Sequence, residues 1–189
     1  MSRITVLGIL ALATLSACKS ISGANVTNYT AEHDLESTKP AACTNISGLS
    51  SQQNPADIFS GVKKCLAEGK YDKAAKLYFA AISYGSFDTK RVSDQTAHQA
   101  ISVLRMNVLG SQPQDALNKL QSKLKSLSSD NTSLCGSLTK LGAPTYYPSY
   151  MIQHGMGAFS GQVAKNDLVE NFDGKKAWQE TLATIAHCQ

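Results

Sequence analysis

The chain predicts an all-α fold, a compact bundle of about five to six helices preceded by a flexible N-terminal tether. Three observations carry that expectation. From Asn54 onward, apolar residues recur at three- and four-residue spacing; glycines and prolines interrupt the pattern where helices would end or begin; and alternating apolar–polar runs, the mark of half-buried strands, are nearly lacking. With 189 residues, 42% hydrophobic and 17% charged, the chain can bury one core of ordinary size. It reads as neither a disordered polyelectrolyte nor a polytopic membrane protein.

Asn54-Pro55 is an N-cap followed by proline at the first helical position, where the missing N–H costs nothing. Ile58, Phe59, Val62, Cys65 and Leu66 then share one face, and Gly69 ends the segment. A second helix starts near Tyr71, carries Ala74, Ala75, Leu77, Tyr78, Ala81 and Ile82, and stops at Gly85. The third and longest spans residues 89–109, with Val92, Thr96, Ala100, Val103 and Leu104 on one face and Gly110 closing it. On the same helix, Arg91, Asp94, His98 and Arg105 form a solvated or salt-bridged face.

Pro113 opens a fourth helix with Leu117, Leu120, Leu124 and Leu127, and a fifth carries Leu134, Leu138 and Leu141 up to Gly142. Residues 142–172 are irregular apart from a short helix around 147–154. A final helix over 173–187 carries Ala177, Trp178, Leu182 and Ile185. Residues 54–189 therefore constitute the helical domain.

The stretch from Gly69 to Ile82, GKYDKAAKLYFAAI, resembles the turn and second helix of a tetratricopeptide repeat. The resemblance implies that Tyr71 closes the hairpin, that Ala74 and Ala81 sit where two helices approach closely, and that Tyr78 fills the groove between them. Gly61 and Val62 depart from the family pattern, and no second copy follows at the 34-residue period of that repeat.

Ahead of the domain, Arg3 precedes an apolar stretch over residues 4–15, which is shorter than the ~20 residues a spanning helix needs and fits a secretory signal. Leu15-Ser16-Ala17-Cys18 resembles the lipobox of bacterial lipoproteins. That resemblance implies removal of residues 1–17, a thioether-linked diacylglycerol on Cys18, and acylation of the new amino terminus. One acyl chain binds a membrane only marginally, whereas three hold it essentially permanently. Lys19 stands where an aspartate would resemble an inner-membrane retention signal, so the expected location is the outer membrane, facing the periplasm. Residues 18–53, rich in Ser, Thr, Asn and Ala without apolar period, read as the lipidated tether.

Four further cysteines, Cys43, Cys65, Cys135 and Cys188, are an even number in an oxidising compartment and imply two disulfides. Of the three connectivities, the local one, Cys43–Cys65 with Cys135–Cys188, is preferred. No C-x-x-C spacing occurs, which argues against zinc or thioredoxin-like chemistry, and no cofactor or metal is expected.

Neither H-E-x-x-H nor G-x-S-x-G is present, and the paired carboxylates of most glycosidases are missing. Asp94, His98 and His154 are the only candidates for an envelope enzyme acting on cell-wall or lipid material, and no catalytic residue is assigned. The net charge of +4 comes from scattered basic residues and predicts no nucleic-acid partner.

Residues 144–159 are the least ordinary part of the chain, concentrating three of its seven tyrosines and two of its four methionines between prolines and glycines. Tyr146, Tyr147, Tyr150, Met151, His154 and Met156 are the partner-contact candidates, because tyrosine and methionine make adaptable contact surfaces. A loop packing its aromatics over the core would use the same residues. The expected function is a non-catalytic periplasmic lipoprotein that binds another protein. An immunity or inhibitor protein, an accessory factor of an envelope or secretion machine, and a purely structural envelope protein remain open.

Overall fold

A computed structural model describes residues 31–160 and 167–189. Cys18 and residues 1–17 lie outside the described residues, as do residues 19–30 of the expected tether.

Helix α1 (Pro55–Ala67) opens on a capping box. The Asn54 side chain accepts from the Asp57 N–H and the Asp57 carboxylate accepts from the Asn54 N–H, both at 2.9 Å. Gly69, at φ +66°, supplies the left-handed residue that turns the chain into α2 (Tyr71–Arg91), and the two helices pack as a hairpin. Ala74 and Ala81 are fully buried, and Phe59 meets Tyr78 edge-to-face at 6.0 Å.

The remaining helices are α3 (Ala100–Leu109), α4 (Gln114–Ser129), α5 (Thr132–Leu141), two single-turn helices, α6 (Ser149–Ile152) and α7 (Met156–Phe159), and α8 (Gly174–Ile185). The architecture is all-helical; among the described residues, β pairing amounts to one isolated antiparallel bridge between Val92 and Leu168. Helix α2 is the axis of the body, packed against α1, α4 and α8. No helix among the described residues is long and apolar enough to cross a membrane.

Three sequence expectations need correction. First, α2 does not stop at Gly85 but runs on to Arg91. The glycine serves a close approach: a Cβ there would lie 2.3 Å from Ile101 Cδ1, so the site admits a neighbouring side chain and does not end the helix.

Second, the single helix expected over residues 89–109 is broken. After α2 ends, Val92 is extended, and a 3-10 turn over Gln95–Gln99 leads into α3. Asp94 causes the break, because its carboxylate accepts from the Thr96 N–H (2.9 Å) and the Thr96 hydroxyl (2.6 Å), a local alternative to helical bonding.

Third, residues 31–53 are packed on the body rather than serving as tether. Ala41 and Ile46 are buried, and Cys43 is disulfide-bonded to Cys65 of α1. Buried Asp57 anchors the segment with its second oxygen, which accepts from the Ser37 hydroxyl (2.8 Å) and the Lys39 N–H (2.7 Å). Gly61 leaves room for it, since a Cβ there would lie 2.8 Å from the Ala42 carbonyl oxygen. The segment has no apolar period because hydrogen bonds and a disulfide hold it, not a helical face.

Candidate functional site

The segment expected to contact a partner is tied down along its length. The Thr145 N–H donates to the Ser51 carbonyl (2.8 Å), the Leu35 N–H donates to the Tyr150 carbonyl (3.1 Å), and His154 Nδ1 lies 2.9 Å from an Asp34 oxygen. Further on, the Met156 N–H donates to the Thr96 hydroxyl (2.8 Å) and the Gly157 N–H to the Asp94 carboxylate (3.2 Å). Gly155 permits that contact, because a Cβ would stand 2.4 Å from an Asp94 oxygen.

The strongest tie is a buried charge cluster. Asp88, near the end of α2, is completely enclosed. One of its oxygens accepts from the hydroxyls of Tyr146 (2.7 Å) and Tyr150 (2.8 Å), and the other from Arg91 Nε (2.7 Å). Arg91 Nη2 also lies 2.7 Å from that second oxygen, but without hydrogen-bond geometry, so its contact is one of charge alone.

The guanidinium carbon is 5.2 Å from the centre of the Phe87 ring and 5.0 Å from that of Tyr146. Burial raises the Asp88 carboxyl above its ordinary range, against the pull of Arg91 and the two phenols. Burial and the Asp88 charge push both phenols well above theirs, so they stay protonated as donors.

This cluster divides the partner-contact candidates. Tyr150 and Met151 are fully buried, and Tyr146 is partly buried with its hydroxyl on Asp88. His154 is partly buried against Asp34. These four support the loop from within, which corrects the expectation that they face a partner. Tyr147 and Met156 do face solvent, at 56% and 60% exposure. Phe159 (55%) and Val169 (43%) are exposed as well and were not among the candidates read from the sequence. The signal for Phe159 was its place at the end of the tyrosine- and methionine-rich stretch; nothing local marked Val169.

Both flanks of this surface are anchored to the break after α2. The Tyr147 hydroxyl donates to Asp167 (2.7 Å), and the Asp167 carbonyl accepts from the Ser93 N–H (2.9 Å). Burial, followed by the bond to Asp167, pushes the Tyr147 phenol up to about 12. The Val169 N–H donates to the Arg91 carbonyl (2.8 Å), while Thr96 and Asp94 hold Met156 and Gly157. The result is a set of exposed apolar side chains on a fixed backbone.

The three enzymatic candidates are not joined to one another. Asp94 is occupied by Thr96 and Gly157, His98 Nε2 meets the Val92 carbonyl at 3.0 Å, and His154 pairs with Asp34. The expected charged face likewise dissolves. Arg91 is buried in the Asp88 cluster, Asp94 caps the 3-10 turn, and Arg105 is exposed on α3. Among the described residues, no group of three or more His, Cys, Asp or Glu is placed to hold a metal ion. The cysteines pair locally, as Cys43–Cys65 and Cys135–Cys188. Compared with protein-family models, curated proteins and solved structures, the chain matches none.

Proposed function

We propose that this chain is a lipid-anchored lipoprotein of the bacterial outer membrane, facing the periplasm, whose helical body binds another protein without catalysis. The observation that carries the binding role is the exposure of Tyr147 and Met156 on a backbone pinned to Asp94, Thr96 and Asp167. Large apolar side chains left in water on a rigid support favour association, because little conformational entropy remains to be lost. The tetratricopeptide-like stretch over residues 69–82 is in keeping with a binding body. Anchoring rests on the lipobox-like Leu15-Ser16-Ala17-Cys18.

Two experiments test the reading. Cys18→Ser should leave unprocessed precursor and abolish acyl labelling; unchanged labelling and processing would remove the anchor from the proposal. Alanine at Tyr147 and Met156 together should weaken partner capture while the melting temperature stays as in the wild type. Unimpaired capture, or a loss of stability in parallel with binding, would show that these residues serve packing instead.

A further inference from the structure

Residues 141–160 contain no lysine, arginine, aspartate or glutamate, yet the loop within them is held by four aspartates from elsewhere in the chain. Asp88 takes the hydroxyls of Tyr146 and Tyr150, Asp34 meets His154 Nδ1, Asp94 accepts from the Gly157 N–H, and Asp167 accepts from the Tyr147 hydroxyl. Their charges have different fates. Asp88 is enclosed and paired with Arg91. Asp94 and Asp167 accept from neutral donors, and the ion pairs among the described residues include neither of them. Both are partly exposed. Opposite Asp34 stands a histidine, and the exposed Glu32 and Glu36 share its segment, which has no lysine or arginine over residues 31–36.

These carboxylates lie beside the exposed apolar side chains. The Ser93 N–H donates to the Asp167 carbonyl and Asp94 follows Ser93 in the chain, so the supports of Tyr147 and of Met156 and Gly157 meet at residues 93–96. Tyr147 and Met156, 56% and 60% exposed, thus stand over a break between helices whose fixed charge is negative. Hydrogen bonds from Thr96 and Gly157 hold the Asp94 carboxyl below its ordinary value, so that charge is present at neutral pH. The chain as a whole carries +4, so the negative rim is a local feature and not a reflection of composition.

Given that this surface binds a protein, as proposed above, we infer that it receives a cationic amphipathic segment of that partner, with apolar side chains on Tyr147 and Met156 and lysines or arginines at Asp94 and Asp167. Apolar contact alone would accept any apolar segment. Two carboxylates with no cation opposite them favour a basic one, reject an acidic one by like-charge repulsion, and steer the encounter at low salt.

The full chain with p-benzoylphenylalanine in place of Met156 is irradiated in the cells that produce it, and the cross-linked segment is sequenced by mass spectrometry. It should belong to another protein and combine apolar residues with lysine or arginine. In parallel, the purified full chain in nonionic detergent is titrated with a dye-labelled helical peptide of leucine and lysine and with its leucine–glutamate counterpart. The lysine peptide should bind roughly tenfold more tightly, and its affinity should fall as salt is raised. Asp167→Asn, which keeps an acceptor for the Tyr147 hydroxyl, should weaken it roughly two- to fivefold and flatten the salt dependence. Comparable binding of the two peptides, no effect of Asp167→Asn in a protein that melts as the wild type, or a cross-link to an acidic segment, an uncharged segment or a second copy of this chain would each overturn the cationic assignment while leaving the binding surface in place. No cross-link at all, with peptide binding unchanged by Tyr147→Ala and Met156→Ala, would overturn the surface itself.

Discussion

Replacing Asp88 by alanine removes the acceptor on which three side chains converge. Arg91 would remain as an uncompensated buried guanidinium, and breaking a buried ion pair in this way costs about 3–5 kcal/mol. Tyr146 and Tyr150 would also lose the partner their hydroxyls reach at 2.7 and 2.8 Å, at about 1 kcal/mol or more each if water cannot enter. These costs share one site and do not simply add. A loss of about 4 kcal/mol is expected, a large part of the ~5–15 kcal/mol that holds a domain folded. At ~2–4 °C per kcal/mol for a chain of this size, melting should fall by about 8–16 °C.

Urea unfolding with an unchanged denaturant slope is the assay, because it separates a stability change from a change in compactness. The companion variant, Asp88→Leu with Arg91→Met, removes both charges and should be markedly more stable than Asp88→Leu alone, since replacing a buried pair by apolar groups is often close to neutral. A cost below about 1.5 kcal/mol for Asp88→Ala, or a double variant whose loss equals the sum of its singles, would refute the reasoning. Either result would mean that the cluster is wet or that its members are not coupled.

Ala81 is fully buried, so Ala81→Leu should overpack the core and cost about 1–3 kcal/mol in the same assay; an unchanged midpoint would mean the core yields there without strain. Acid should weaken the support beneath Met156 and Gly157. Hydrogen bonds, chiefly from the Thr96 hydroxyl, hold the Asp94 carboxyl below its ordinary value, so its stabilisation is complete above the usual ~3.9 and is lost as pH falls through the lower folded value. Asp94→Asn should therefore be less stable at neutral pH and lose less on acidification; parallel pH profiles for the two proteins would contradict this. Asp88 has the opposite sign. Its raised folded value favours the protonated form, so its contribution declines as pH climbs through that value and adds no acid sensitivity.

What the sequence by itself determined is whatever is settled within a turn or two of chain. Asn54 and Asp57 form their capping box because both partners lie three residues apart, and Gly69 and Gly142 end helices at positive φ as the local pattern anticipates. Asp173 begins the last helix by accepting from the Lys176 N–H. The even cysteine number pointed to two disulfides, and the preference for local pairing picked Cys43–Cys65 with Cys135–Cys188, the connectivity the structure shows.

Only the tertiary structure decided which residues face water. Tyr147 and Tyr150 are three residues apart and chemically identical, yet one is 56% exposed and the other fully enclosed. The difference is Asp88, 62 residues from Tyr150 in sequence, whose carboxylate draws that hydroxyl inward. Gly85 reads as a helix stop until Ile101 is seen against it, and residues 31–53 read as tether until Asp57 and Cys65 are seen to hold them. Periodicity records the face a helix buries against its neighbours. It carries no record of which distant side chain will satisfy a buried charge or fill the space above a glycine, because those partners are brought together only when the chain has folded.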